Sequence, residues 1–114
     1  MILTLIVGSA VSVSASNMSE SQMKYYTNLP TCTPGKFPLG ALGDYYIYGV
    51  KNNKCHIKES LGGIDINCYL PASIARQYAQ EGKRVLKESM STNKASYSEY
   101  INIITNDRTY CSVQ

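Results

Sequence analysis

Four cysteines in a chain of 114 residues constrain this fold more than any other feature, and they are Cys32, Cys55, Cys68 and Cys111. Zinc sites usually draw their ligands from closely spaced pairs, and redox centres use Cys-x-x-Cys. Neither spacing occurs in this sequence. An even number of widely separated cysteines is typical of structural disulfides formed in an oxidising compartment. We therefore expect two disulfides, no metal site and no cofactor.

The segment KCHIKESLGGIDINCY contains the two middle cysteines and has the pattern of a β-hairpin. A turn centred on Leu61–Gly62 would place Cys55 opposite Cys68 and would also pair residues of opposite charge across the strands. Opposed strand positions hold their Cβ atoms about 4.5–5.5 Å apart, close to the separation that a disulfide needs. The register therefore predicts a bridge between Cys55 and Cys68. By elimination, the second bridge would join Cys32 to Cys111.

The chain opens with MILTLIVGSAVSVSA, an apolar run of signal-peptide length that is too short to cross a bilayer as a helix. Small residues at its end predict cleavage after Ala15, although no Lys or Arg precedes the run. We expect residues 1–15 to be a signal peptide, 16–28 a flexible lead-in, and 29–114 a single small domain. The mature protein would be periplasmic or extracellular, without a stable membrane anchor. The alternative is that the run forms a buried N-terminal strand.

Three segments rich in Tyr, Ile and Val predict the strands of the domain, namely 44–51, 54–59 and 64–70. Asn52–Asn53 suits a two-residue hairpin turn between the first two, because asparagine tolerates positive φ. Together with the Gly-Gly hairpin, this predicts a three-stranded antiparallel meander.

Apolar residues recur at helical spacing after the last strand and predict a helix over about 72–89. Gly82 either ends a shorter helix or marks a close-packing point within a long one. A second helix is predicted by Ser96 and Glu99, which match the capping-box pattern. Two helices that cover one face of the meander define an α+β, disulfide-linked fold.

Ten tyrosines stand against no tryptophan and one phenylalanine, and tyrosine is enriched at recognition surfaces. The predicted register places Tyr46, Tyr48 and Val50 on the core face with Cys55. The face directed away from the helices carries Tyr45, His56, Lys58, Asn67 and Tyr69. We expect a binding surface at these five residues. The alternative is that the tyrosines serve as the half-buried core of a small domain.

Signals for enzymatic chemistry are scarce. His56 is the only histidine, and no nucleophile-elbow, zinc-hydrolase or Gly-rich phosphate-binding pattern accompanies it. The net charge of +3 includes no basic run with interleaved aromatic residues, so nucleic acid is not an expected partner.

The leading hypothesis is a non-enzymatic domain that binds an extracytoplasmic protein partner, as an inhibitor or an accessory factor. One alternative is a small-ligand carrier with a cavity between sheet and helices. The other is a small hydrolase that uses His56, which requires a nucleophile or an acid within hydrogen-bond reach of the imidazole. The sequence does not specify an oligomeric state.

Overall fold

The computed structural model describes residues 15–114, and its first element is a helix, α1, at Ala15–Asn28. The predicted signal peptide lies outside the described residues except for Ala15. Helix α1 corrects the expectation of a flexible lead-in over 16–28. Its segment is largely polar, but Tyr25 is fully buried and Leu29, directly after the helix, is also fully buried. Because residues four apart share a helix face, these two side chains anchor the segment on the core.

The strands form a five-stranded antiparallel sheet in sequential order. They are β1 at Gly35–Pro38, β2 at Gly43–Lys51, β3 at Lys54–Leu61, β4 at Ile64–Leu70 and β5 at Cys111–Val113. The predicted α+β class is confirmed, whereas the three-stranded sheet is corrected by two short edge strands. β1 was missed because its segment is rich in proline, which is typical of a loop. An edge strand tolerates proline because one side of its backbone needs no hydrogen-bond partner within the sheet. β5 is only three residues long and lies in the tail that follows the last helix, so its sequence gives no strand pattern.

The hairpin between β3 and β4 turns at Gly62–Gly63, where φ is 57° and 83°. A two-residue hairpin turn with positive φ at both central positions favours glycine at both, and leucine at the first position would be strained. The predicted turn at Leu61–Gly62 is therefore wrong, and Cys55 pairs with Leu70 instead of Cys68. A shift by two residues preserves the face of every side chain, so only the pairing partners change.

The disulfides join Cys32 to Cys55 and Cys68 to Cys111, with Cα–Cα distances of 5.6 and 4.1 Å. Formation of two disulfides is confirmed, but the predicted pairing of Cys55 with Cys68 and Cys32 with Cys111 is wrong. The rule that opposed strand cysteines form a bridge still holds, because Cys68 lies directly opposite Cys111 on β5. The first bridge ties the loop after α1 to β3. Two disulfides indicate an oxidising compartment.

The hairpin between β2 and β3 turns at Asn52–Asn53 as predicted, with φ of 53° and 64°. A bulge then intervenes, because Ile47 pairs with Ile57 and Gly49 with His56, which leaves Tyr48 unpaired. The extra residue exchanges the two faces of the strand beyond it. The bulge therefore alters the predicted orientation of every residue in the first half of β2.

The exchange of faces corrects two predicted placements. Tyr45, expected on the outward face, is buried in the core. Tyr46, expected in the core, lies among the outward side chains beside Tyr48. Val50 was also expected in the core, but 67% of it is exposed.

Helix α2 spans Ala72–Thr92 and α3 spans Glu99–Asn106. A single long helix through Gly82 is confirmed. The N-cap of α3 is Ser98 rather than Ser96, because the Ser98 hydroxyl accepts the Ile101 backbone N–H at 3.2 Å. Ser96 instead donates to the Glu88 carboxylate at 2.8 Å. The core lies between the helices and the inner face of the sheet. Among residues 15–114, no helix is both long enough and apolar enough to cross a membrane.

Candidate functional site

The sheet face opposite the core is uncovered within the described part of the chain. It carries seven side chains that we call the outer aromatic face: Lys36, Tyr46, Tyr48, His56, Lys58, Asn67 and Tyr69. Four of the five predicted binding residues are brought together here. The fifth, Tyr45, lies on the opposite face of the sheet for the reason given above.

Four aromatic rings form a continuous row across β2, β3 and β4. The Tyr46 and Tyr48 rings are parallel to within 3° with centroids 5.7 Å apart, and the Tyr48 and His56 centroids are 4.6 Å apart. His56 in turn stacks on Tyr69 with centroids 4.2 Å apart, because these two residues are directly opposed across β3 and β4. Each ring is supported by its neighbour, so the row presents its surface with little conformational freedom left to lose on binding.

Positive charge lies over one end of the row. The Lys58 ammonium is 4.8 Å from the centroid of the Tyr46 ring and the Lys36 ammonium is 5.9 Å from it, both within cation–π range. The pKa of Lys58 is raised above its ordinary value, chiefly by hydrogen bonding with the Tyr48 hydroxyl. Lys58 therefore remains charged at neutral pH, and this end of the face favours an anionic group.

His56 has an amide for its hydrogen-bond partner. Its Nε2 atom lies 3.2 Å from Asn67 Oδ1, and the Tyr48 and Tyr69 rings lie on either side of the imidazole. An amide supplies neither a nucleophile nor an acid, so this contact gives hydrolysis by His56 no support. A shallow concavity of about 440 Å³ extends over these residues towards Asp65. The arrangement offers hydrogen-bond donors and acceptors between partly exposed ring surfaces, which suits non-covalent recognition.

Sequence reasoning missed Tyr46 and Tyr48 as members of this face. The signal that could have placed them is Gly49, because an isolated glycine inside a strand pattern indicates a bulge. Gly49 has φ of 113°, a conformation that a side chain would strain. Counting the bulge into the register moves both tyrosines outward.

A second cluster lies on the inner side of the sheet around Glu59, which is only 7% exposed. The Tyr25 and Tyr78 hydroxyls both donate to Glu59 Oε2, at 2.9 and 2.8 Å. The pKa of Glu59 is raised, because the cost of burying the charge outweighs the two hydrogen bonds. The pKa of each tyrosine lies well above its ordinary value, first through burial and then through the Glu59 charge. Sequence reasoning singled out none of these residues as functional.

A cleft of about 350 Å³ opens between this inner cluster and the helices. We call it the Glu59 cleft, and its lining includes Tyr26, Tyr45, Glu59, Val85, Ile101 and Asn102. It occupies the place that the carrier hypothesis requires, between the sheet and the helices. In residues 15–114, no three or more His, Cys, Asp or Glu side chains are grouped so as to hold a metal ion.

Comparison of the chain with protein-family models, curated proteins and solved structures finds no match. Function therefore has to be inferred from the chemistry of its own side chains. Two places stand out by their geometry, the outer aromatic face and the Glu59 cleft. They lie on opposite sides of the sheet and can be tested independently.

Proposed function

We propose that this protein is an exported binding domain that recognises an extracytoplasmic protein partner through the outer aromatic face. The observation that carries the proposal is the row of four stacked rings on an uncovered sheet face, from Tyr46 to Tyr69. Export is supported by the two disulfides and by the apolar opening of the sequence.

A broad, open aromatic surface suits a protein partner. Tyrosine supplies large contact area with few rotatable bonds, and rings already held by their neighbours lose little entropy when they are covered. Tyr48 is 48% exposed and is therefore available as an anchor at the centre of the row. Lys36 and Lys58 add positive charge at one end, so we expect the complementary surface to be acidic at that end.

The test is affinity capture with the oxidised protein from an extract of its own cell envelope and surroundings. The comparison is a double variant, Tyr48→Ala with Tyr69→Ala, which removes two ring surfaces from the outer aromatic face. The matched control is Tyr97→Ala, which removes an exposed tyrosine from the helical side of the molecule. One protein should be recovered by the wild type and by the control at similar stoichiometry. Its recovery by the double variant should fall by at least about tenfold, because hot-spot aromatic residues each contribute about 2 kcal/mol or more.

Salt dependence gives an independent check. Raising the ionic strength should weaken capture, and the double variant Lys36→Ala with Lys58→Ala should remove most of that dependence. The proposal is overturned if no protein is recovered, or if the tyrosine double variant recovers the same protein as well as the wild type does. Recovery that is lost in Tyr97→Ala alone would move the binding surface to the other side of the molecule.

A further inference from the structure

The Glu59 cleft contains a buried charge without an opposite charge. Glu59 is the only charged residue among the described residues that line the cleft. No salt bridge in the described part of the chain involves Glu59, since those formed there join Arg84 to Glu81 and Glu88. A buried carboxylate is costly unless hydrogen bonds and a cation compensate for the lost water. Here the hydrogen bonds are present and the cation is not supplied by residues 15–114.

The two carboxylate oxygens of Glu59 differ in their surroundings. Oε2 accepts both tyrosine hydroxyls, whereas no hydrogen bond from the described residues reaches Oε1. Oε1 is not among the fully buried side-chain polar atoms that lack a partner, since in the described part of the chain only the Tyr100 hydroxyl is one. One oxygen is thus held by Tyr25 and Tyr78, and Glu59 is among the residues that line the cleft.

The surrounding side chains define what kind of molecule would fit. Tyr26 and Tyr45 also line the cleft, and Tyr45 lies directly opposite Glu59 across β2 and β3. Val85 and Ile101 supply apolar surface on the helical side of the cleft. A volume of about 350 Å³ is at the lower end of the range of about 300–1,000 Å³ that is typical of ligand pockets, so the occupant is small.

We propose that the Glu59 cleft binds a small organic amine, whose ammonium group pairs with Glu59 Oε1 and whose apolar body lies against Val85 and Ile101. An anion would be repelled by the carboxylate, and a neutral isostere would leave the carboxylate without its cation. This site lies on the other side of the sheet from the outer aromatic face. The proposal therefore goes beyond protein recognition and does not depend on it.

The probe is phenethylamine, titrated into the oxidised protein and followed by methyl and amide NMR shifts. Phenethyl alcohol and hydrocinnamate serve as neutral and anionic controls of similar shape. The amine should give saturable shifts centred on Val85 and Ile101, and its affinity should exceed that of either control by at least about tenfold. Glu59→Gln should abolish that preference, whereas Glu88→Gln, which changes a carboxylate outside the cleft, should preserve it.

A second variant tests the Glu59 cleft even if Glu59→Gln does not fold. Asn102 is exposed at the rim of the cleft, so Asn102→Trp should occlude the cleft without disturbing the core. It should eliminate the amine-induced shifts and leave capture through the outer aromatic face unchanged. The proposal is overturned if the amine does not bind, or if all three probes bind alike. Unchanged amine binding by Asn102→Trp or by folded Glu59→Gln would also overturn it.

Discussion

The ring of Tyr26 lies directly against the backbone of Gly82, where α1 packs on α2. Glycine to alanine inside a helix ordinarily stabilises by about 1 kcal/mol. At position 82, however, the new Cβ would overlap the ring of Tyr26, which is buried and cannot move away freely. We expect Gly82→Ala to lower the free energy of unfolding by about 1–3 kcal/mol, measured by urea denaturation.

Two further variants separate this overlap from a general effect on the helix. Lys83→Ala changes the next position of α2 and should leave the free energy of unfolding within about 0.5 kcal/mol of the wild type. Tyr26→Leu removes the ring, so adding Gly82→Ala in that background should cost much less than it does alone. Equal costs in both backgrounds would show that the Tyr26 ring is not the cause.

Disulfide connectivity can be checked by mass mapping without reduction. We expect linked peptides that contain Cys32 with Cys55 and Cys68 with Cys111. In the chain-entropy model, loops of 23 and 43 residues contribute about 3 and about 4 kcal/mol. Replacing the second pair by alanine should therefore destabilise the oxidised protein somewhat more than replacing the first. A peptide that links Cys55 to Cys68 would contradict the register of β3 and β4.

The two tyrosine hydroxyls on Glu59 should contribute measurably to stability. Hydrogen bonds to charged groups are worth about 1.5–3 kcal/mol, so Tyr25→Phe and Tyr78→Phe should each lower the free energy of unfolding by about that amount. The loss of stability in the double variant should differ from the sum of the two single losses, because both hydroxyls donate to the same oxygen. Tyr97→Phe is the matched control. Single variants no less stable than the control would show that these hydroxyls do not stabilise Glu59.

Local chemistry explains which parts of the fold could be predicted. Asn52–Asn53 was placed correctly because its two residues alone supply the backbone conformation that the turn needs. The Gly-Gly hairpin allowed a turn at either Leu61–Gly62 or Gly62–Gly63. The choice of the first position gave every cysteine the wrong disulfide partner. Strand alternation still placed His56 and Lys58 on the correct face, because the error was an even number of residues.

The missed parts depend on contacts between distant segments. Helix α1 owes its place to Tyr25 and Tyr26, which pack against α2 and the sheet although their own segment shows little periodicity. The bulge at Tyr48 shifts the pairing of β2 with β3 by one residue. Tyr45 and Tyr46 therefore lie on the opposite faces of the sheet from those predicted. No signal local to Glu59 indicates that two tyrosines from separate helices converge on it. These errors displaced one predicted binding residue and concealed the inner cluster.

Glu59 also makes the stability of the protein depend on pH in a direction unusual for a carboxylate. Its pKa in the folded protein is raised above 4.5, chiefly by burial. Between the unfolded and the folded pKa, the folded state therefore binds more protons than the unfolded state does. The free energy of unfolding must then fall as pH rises through this interval, and the loss is complete once the folded pKa has been passed.

Glu59→Gln isolates this contribution, because the amide retains an oxygen that can accept from Tyr25 or Tyr78 but carries no charge. We expect the stability of the variant, relative to wild type, to rise as pH increases from about 4.5 and then to level off. Urea unfolding of both proteins at a series of pH values measures this difference, and contributions common to both proteins cancel.

Exposed Glu88→Gln is the control and should not reproduce the rise, because the pKa of Glu88 is lowered by its hydrogen bonds from Ser96 and Arg84. A constant difference between wild type and Glu59→Gln would mean that burial does not shift this carboxyl group. A falling difference would mean that hydrogen bonding outweighs burial at Glu59.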